Sequence, residues 1–218
     1  MKDSCPTGRR RTPAAAALLG AVLGAMAAHA QPNADLAPLF DGSLTGWTIE
    51  NTSLGNFSIA DGVLRVEGTQ GWLKSARRYT DFRLRIEFRF LTDDGDSGIF
   101  VRAAGDVTFG RGWPNDSYQL QILNPAADNS RFPPLGHLFR HGTPAGDIAF
   151  DPAAARAAFT GIGEWQTLEI EVDGTELTAH VNGTLLTRAS NLVDRSGYIG
   201  IQGETGALEF RAIEIDER

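Results

Sequence analysis

Cysteine is nearly absent: the single one among 218 residues, Cys5, lies close to the N-terminus, ahead of any apolar run. No disulfide can therefore form within the chain, and the fold must rest on a core large enough to need no covalent staple. Positive charge is also scarce. Twenty Lys and Arg face 27 Asp and Glu, which gives a net charge of −7 with histidine neutral. An acidic chain without a basic patch is a poor partner for nucleic acid or an anionic membrane, and neutral ligands such as sugars suit it better. Long hydrophobic runs are missing as well. The longest, Ala14 to Ala28, has about 15 residues, short of the roughly 20 that a membrane helix needs. No internal repeat is visible, and no linker divides residues 31–218.

That apolar run has the surroundings of an export signal. Lys2, Arg9, Arg10 and Arg11 precede it, and Ala28-His29-Ala30 closes it with the small-x-small pattern of a cleavage site. Residues 1–30 are thus expected to be a cleavable signal peptide, and residues 31–218 a single exported domain. The expected location is the periplasm or the outside of the cell, with no membrane contact in the mature form. Cys5 precedes the apolar run, so it is not a lipid-attachment cysteine and would leave with the signal.

Beyond residue 30 the dominant period is two. Phe82, Leu84, Ile86, Phe88 and Phe90 alternate with Arg83, Arg85, Glu87 and Arg89, the pattern of a half-buried antiparallel strand. Further β-rich runs lie around Phe57–Ile59, Val63–Val66, Ile99–Ala103, Tyr118–Leu123, Leu168–Val172, Leu177–Val181, Tyr198–Gln202 and Leu208–Ile215. Asp61-Gly62, Asp94-Gly95, Asp173-Gly174 and Asn182-Gly183 supply turns between them. The last run changes parity between Phe210 and Ile213, which calls for a bulge. One short helix is expected, with Asp151 as cap, Pro152 at its first position and Ala153 to Phe159 as its body. The pattern predicts an all-β, antiparallel two-sheet sandwich of jelly-roll type with one short helix in a loop.

Three motifs resemble catalytic sites and fail on context. Gly95-Asp96-Ser97-Gly98 echoes the serine-protease nucleophile, but all three histidines outside the signal (His137, His141, His180) follow the serine in an order unlike that enzyme class. The stretch reads instead as a turn feeding the strand Ile99–Ala103. Glu171, Asp173 and Glu176 have the spacing of a glycosidase carboxylate set, but Asp173-Gly174 marks a hairpin tip, where acids splay into solvent. His137 and His141 are four apart without a helix to align them and without an acidic third ligand, which is weak evidence for zinc. Nothing requires a cofactor, and a divalent metal stays open.

Polar residues sharing strand parity carry more information. Asp96 and Arg102 fall on one face of their strand, and Gln119 and Gln121 on one face of theirs. On neighbouring strands these four would converge into a surface suited to sugar hydroxyls, or form an ordinary solvated face. Trp72 and Trp113 could stack on sugar rings or belong to the core.

The strings LFDGSLTGW, GWLKSARRYTDFRLRIEFRF, DSGIFVR, YQLQILN, GEWQTLEIEVDG, HVNG, GYIGIQ and FRAIEI follow one another in this chain. In that order they resemble 3-keto-disaccharide hydrolase domains, from about Leu39 to Ile215. The resemblance implies a concanavalin A-like jelly roll, export in bacteria and action on glycosides oxidised at C3. It makes Arg102 a candidate donor to an enolate or hydroxyl, and places Gln121 on the family's polar strand. Three departures bear on chemistry: Asp96 stands where the family usually has Asn, Gln119 where it has Glu, and Asn124 where it has Asp. Ala212 also replaces the Asn of the family's F-R-N-I.

The reading that follows is an exported protein that cleaves 3-keto-glycosides by hydrolysis or β-elimination. Asp96 is the expected base, Arg102 the electrophilic donor and His137 a leaving-group acid. Gln119, Gln121, Asn124, Trp72 and Lys74 are expected to bind the oligosaccharide or glycoside. The alternative is a non-catalytic glycan-binding sandwich, favoured by the amides at Gln119 and Asn124. Oligomeric state is open.

Overall fold

The computed structural model describes Met1 and residues 36–105, 108–126, 132–144 and 146–218. Apart from Met1, the expected signal peptide lies outside the described residues. Pro32–Arg218 forms one compact unit.

Two antiparallel sheets account for most of it. The larger contains Ala37–Pro38 (β1), Phe57–Ala60 (β3), Val63–Glu67 (β4), Phe82–Phe90 (β6), Asp147–Phe150 (β12), Gln166–Asp173 (β13), Glu176–Val181 (β14), Thr184–Ser190 (β15) and Ala207–Glu217 (β17). Its order is β12-β15-β14-β13-β6-β17-β4-β3, with β1 paired to β17. The smaller contains Trp47–Glu50 (β2), Trp72–Tyr79 (β5), Asp96–Ala103 (β7), Ser117–Leu123 (β10), Leu138–His141 (β11) and Gly197–Gln202 (β16), ordered β11-β10-β7-β16-β5-β2. A separate two-stranded ribbon joins Thr108–Phe109 (β8) to Trp113–Pro114 (β9).

The period-two pattern explains the core. On β6, Phe82, Leu84, Ile86, Phe88 and Phe90 are buried while the residues between them are half-exposed. They share one continuous apolar cluster with Leu168, Ile170 and Val172 of β13 and with Ile99, Val101, Leu120, Ile122 and Ile201 of the smaller sheet. Phe88 meets Phe90 edge-on at 5.7 Å between ring centres. Each such side chain contributes about 1.5–3 kcal/mol through burial, which is how the sandwich stands without a disulfide.

Local signals act where the sequence places them. Asn182 and Gly183 have φ of 49° and 77° and close a two-residue hairpin between β14 and β15, where only positive φ matches the strands' twist. The parity change in β17 is a bulge: its register against β6 shifts between Arg211 and Glu214, and Ala212 takes φ 45°. Asp151 caps the helix Pro152–Ala158 (α1) by accepting from the Ala153 and Ala154 amides at 2.9 and 3.0 Å. The Glu171–Glu176 carboxylates sit on the β13–β14 hairpin, where Asp173 pairs with Glu176 and Glu171 binds Arg218 at 2.5 Å. They build no cleft.

One boundary differs from expectation. The turn before β7 ends sooner than the glycines imply, and Asp96 and Ser97 already belong to the strand. Ser97 is fully buried and its hydroxyl donates to the Gln202 carbonyl at 2.7 Å, so it has no nucleophilic role.

Candidate functional site

The outer face of the smaller sheet carries polar and aromatic side chains where its inner face carries aliphatic ones. Strand register aligns Lys74, Gly200, Phe100, Gln119 and Phe139 in one row across five strands. The adjoining positions hold Trp72 beside Gln202 and Gly98 beside Gln121, with Asp96 at the start of β7. Gly98 is required there. A Cβ at that position would collide with the Gln119 amide, which lies across β7 to reach the neighbouring strand.

Gln119 is the hub of a buried network. Its Nε2 donates to Gln121 Oε1 at 2.9 Å and to Gln202 Oε1 at 2.8 Å. Its Oε1 meets His141 Nε2 at 2.7 Å, and because an amide oxygen only accepts, that imidazole nitrogen carries the proton. Gln121 in turn donates through Nε2 to Asp96 Oδ1 at 2.9 Å. A single direction of donation therefore runs from His141 through Gln119 and Gln121 to the Asp96 carboxyl. Gln119, Gln121 and Gln202 are 3%, 4% and 1% exposed, so a broken link would leave buried polar atoms unpaired.

Burial sets the protonation states. Asp96 is pushed up to about 8, first by desolvation and then by the negative charge of Glu204, against the opposing pull of Arg111, the Gln121 hydrogen bond and the Ser97 amide. Glu204 is itself raised by burial and relieved by Arg111. His141 is lowered to about 4 by burial and stays neutral, so its one ring proton is the one on Nε2. The β8–β9 ribbon holds Arg111 beside the two acids: the Arg111 carbonyl accepts from Gly71 N–H at 2.9 Å, and its guanidinium reaches the Thr69 carbonyl at 3.3 Å.

Aromatic rings flank the network. Phe109 stacks on His141 with centres 4.4 Å apart at 28°, and Trp113 meets Phe109 edge-on at 5.8 Å. Trp113 is fixed by its indole N–H, which donates to the Gly203 carbonyl at 3.0 Å.

Asp96, Gln119 and Gln121 thus converge as strand parity implies, and the other expected site residues do not join them. Arg102 is the clearest correction. A bulge sets Val101 and Arg102 opposite the single residue Ile199, Arg102 takes φ 52°, and its side chain leaves the outer face. It is fully buried at the sandwich edge, donating to the Val193 carbonyl at 2.5 Å and lying 3.4 and 3.7 Å from the Asp81 and Asp194 carboxylates. It does not reach the amide network. Trp72 is 1% exposed and packs edge-on against Phe100 at 5.8 Å, so no ring face is left for a sugar. Asn124 is used by its loop, donating to the Asp93 carbonyl and accepting from the Ala126 amide.

His137 lies edge-on to Phe139 and Phe150, outside the network, with Nδ1 buried and unpartnered and its basicity lowered by burial. That setting disfavours the proton a leaving-group acid must carry. Lys74 stays on the outer face, but it is paired with Glu50 and lies 5.1 Å from the Tyr198 ring centre, to one side of the amide network. Sequence reasoning missed Gln202 and Glu204. Gln202 shares parity with Gly200 in the run Tyr198–Gln202 and could have been found; Glu204 lies past the strand end, where parity carries no information.

Three neutral amides and a directed imidazole make a buried polar cluster that ends at the half-buried Asp96 carboxyl. The family model described as a 3-keto-alpha-glucoside-1,2-lyase-like domain matches residues 35–216. The chain belongs to this family. Among curated proteins nothing matches it. Among solved structures it is similar to a "putative glycosyl hydrolase" from Parabacteroides distasonis, with TM-score 0.64, 20% identity, and 84% of this chain and 99% of that one covered. It is also similar to the carbohydrate binding module CBM66 from Bacillus subtilis (TM-score 0.52, 13% identity, 79% and 96% covered). A third is the Emp47p carbohydrate recognition domain (0.56, 15%, 86% and 99%). At these identities the likeness is one of fold, and the fold is the concanavalin A-like jelly-roll sandwich.

Proposed function

We propose that this lyase-like domain is an exported, periplasmic or secreted protein that cleaves 3-keto-glycosides at the outer face of its smaller sheet. The carrying observation is the carboxyl of Asp96, half-buried at the end of the amide network and electrostatically coupled to Glu204. A C3 ketone acidifies the proton on C2. A carboxylate removes that proton, the electron pair forms the C1=C2 bond, and the C1 substituent leaves with its bonding pair and takes up a proton. Water then adds across C1=C2, hydroxyl to C1 and hydrogen to C2, so the sum is hydrolysis. In this reading the Gln119–Gln121–Gln202 network holds Asp96 and His141 in place, and Phe109 offers a ring edge or face to the sugar.

The test is incubation of the mature protein with 3-keto-glucosides carrying different aglycones, following release of the aglycone. Turnover supports the reading. A second reading, a non-catalytic glycan-binding sandwich, is favoured by the three neutral amides at the hub. Binding of unoxidised oligosaccharides without turnover of any 3-keto-glucoside would decide for it.

A further inference from the structure

We propose that the group leaving from C1 lies along β11, on a row of rings made by Phe109, His141, Phe139 and His137. The ligand class is then a glycoside whose leaving group is itself an uncharged ring. The assignment deepens the 3-keto-glycoside reading above and rests on it.

His137, Phe139 and His141 take alternate positions on β11 and the residue before it, at the end of the smaller sheet, so they project to one side. That side is the outer face, because Phe139 is paired with Gln119 and His141 bonds the Gln119 amide. The rings follow one another closely. Phe109 and His141 are 4.4 Å apart between ring centres, His141 and Phe139 6.3 Å, and Phe139 and His137 4.7 Å. Beyond His137 the row reaches Phe150 of β12, 5.1 Å away at the edge of the larger sheet.

Exposure separates this row from the other aromatics of the same face. Trp72 and Phe100 are 1% and 0% exposed and serve only as packing. Phe109, His137, Phe139 and His141 are half-buried, so water still reaches them. Covering them with the C–H face of a sugar, or with an aromatic ring, removes apolar area from water and meets the ring electrons. Charge sets the class of ligand. Burial lowers the basicity of both histidines, so the row is uncharged near neutral pH. The other flank of the face carries cations: Lys74 and Arg78 lie 5.1 and 4.8 Å from the Tyr198 ring centre.

His141 ties the row to the chemistry. Its Nε2 donates to Gln119, and that amide leads through Gln121 to Asp96. With C2 of the reacting sugar at Asp96, the C1 substituent is carried toward β11 or toward β16. An uncharged ring finds four half-buried partners in the first direction and one cation-flanked tyrosine in the second.

The test uses three 3-keto-glucosides, with methyl, phenyl and glucosyl leaving groups. Each variant is compared with wild type on the same substrate, so that leaving-group reactivity cancels. Phe139→Ala should lower kcat/KM for the phenyl or the glucosyl substrate, or both, by about threefold to tenfold, and leave the methyl substrate within about twofold. A loss on phenyl alone assigns the row to an aromatic aglycone, and a loss on glucosyl alone to a second sugar. Phe139→Leu, which keeps the bulk, should show the same pattern and reads it out where alanine does not fold. Tyr198→Ala should not discriminate among the three. Equal loss on all three substrates at Phe139, no loss there, or discrimination that moves to Tyr198 overturns the proposal. Should the wild type turn over no 3-keto-glucoside, the preceding reading fails, and binding of phenyl glucoside tests the row by itself. Shifted ring NMR signals of Phe139 and His137 then support it, and unshifted signals overturn it.

Discussion

Gln121 Nε2 donates to Asp96 Oδ1 at 2.9 Å, across the β7–β10 seam and at the end of a chain of donors that begins at His141. This contact joins the neutral amides to the only strongly perturbed acid among the described residues. Whatever disturbs the amides therefore disturbs the proton, and the experiments below use that coupling.

Stability should fall with rising pH between 6.5 and 8. Asp96 titrates near 8 in the folded state against 3.8 in the unfolded one, so the native protein holds the extra proton and loses its advantage as pH rises. His141 acts oppositely: its folded value near 4 against 6.5 means stability is lost as pH falls from 6.5 to 4. Only above 6.5 is Asp96 separated from His141. Urea unfolding at pH 6.5 and 8 should differ by about 1–2 kcal/mol in the wild type, and Asp96→Asn should flatten the difference.

Gly98→Ala should damage the site more than the fold. The added methyl meets the Gln119 amide and forces it off both Gln121 and Gln202. We expect a loss of about 1–3 kcal/mol in stability. Ligand binding or turnover should fall by about tenfold or more, because two buried amides lose their partners. Unchanged binding by calorimetry would mean that the network does not orient the ligand.

Arg102→Lys should behave as a stability variant. Lysine cannot reproduce the guanidinium contacts to the Val193 and Thr80 carbonyls and to Asp81. Thermal and denaturant unfolding should show a loss of about 2 kcal/mol or more. At a temperature where the variant is folded, kcat should stay within a few-fold of wild type.

Phe109→Ala removes a half-buried ring stacked on His141 in the rim ribbon. We expect glycan affinity to weaken about threefold to tenfold, the range of one aromatic contact. The midpoint of urea unfolding should hardly move.

Much of this architecture is written in local patterns. The faultless alternation of Phe82–Phe90 could bury only one face, and its strand runs over those residues. Phe210 and Ile213 break parity, and the bulge at Ala212 answers that break. The same device at Arg102 is silent in the sequence. Ile99, Phe100 and Val101 are apolar on both faces because an aromatic cluster with Trp72 covers the outer one. With both faces apolar, alternation cannot report that Arg102 has turned aside.

The site divides along the same line. Asp96, Gln119 and Gln121 were legible because strand parity and a shared seam suffice to bring them together. Gln202, His141, Glu204 and Arg111 come from four further segments, and only sheet order β11-β10-β7-β16 and the folded-over ribbon put them beside Asp96.

By itself, the sequence determined a cysteine-poor β sandwich, its strand faces, its turns and the parity of its polar positions, because each of these depends on neighbours within a few residues. The tertiary structure alone decided the direction of the amide chain, the removal of Arg102 to the edge and the bridging of Asp96 to Thr205, which brings the charge of Glu204 to bear on it. Those depend on which strands lie side by side and how deeply water is excluded, and such long-range burial is what raises the Asp96 carboxyl above its ordinary range.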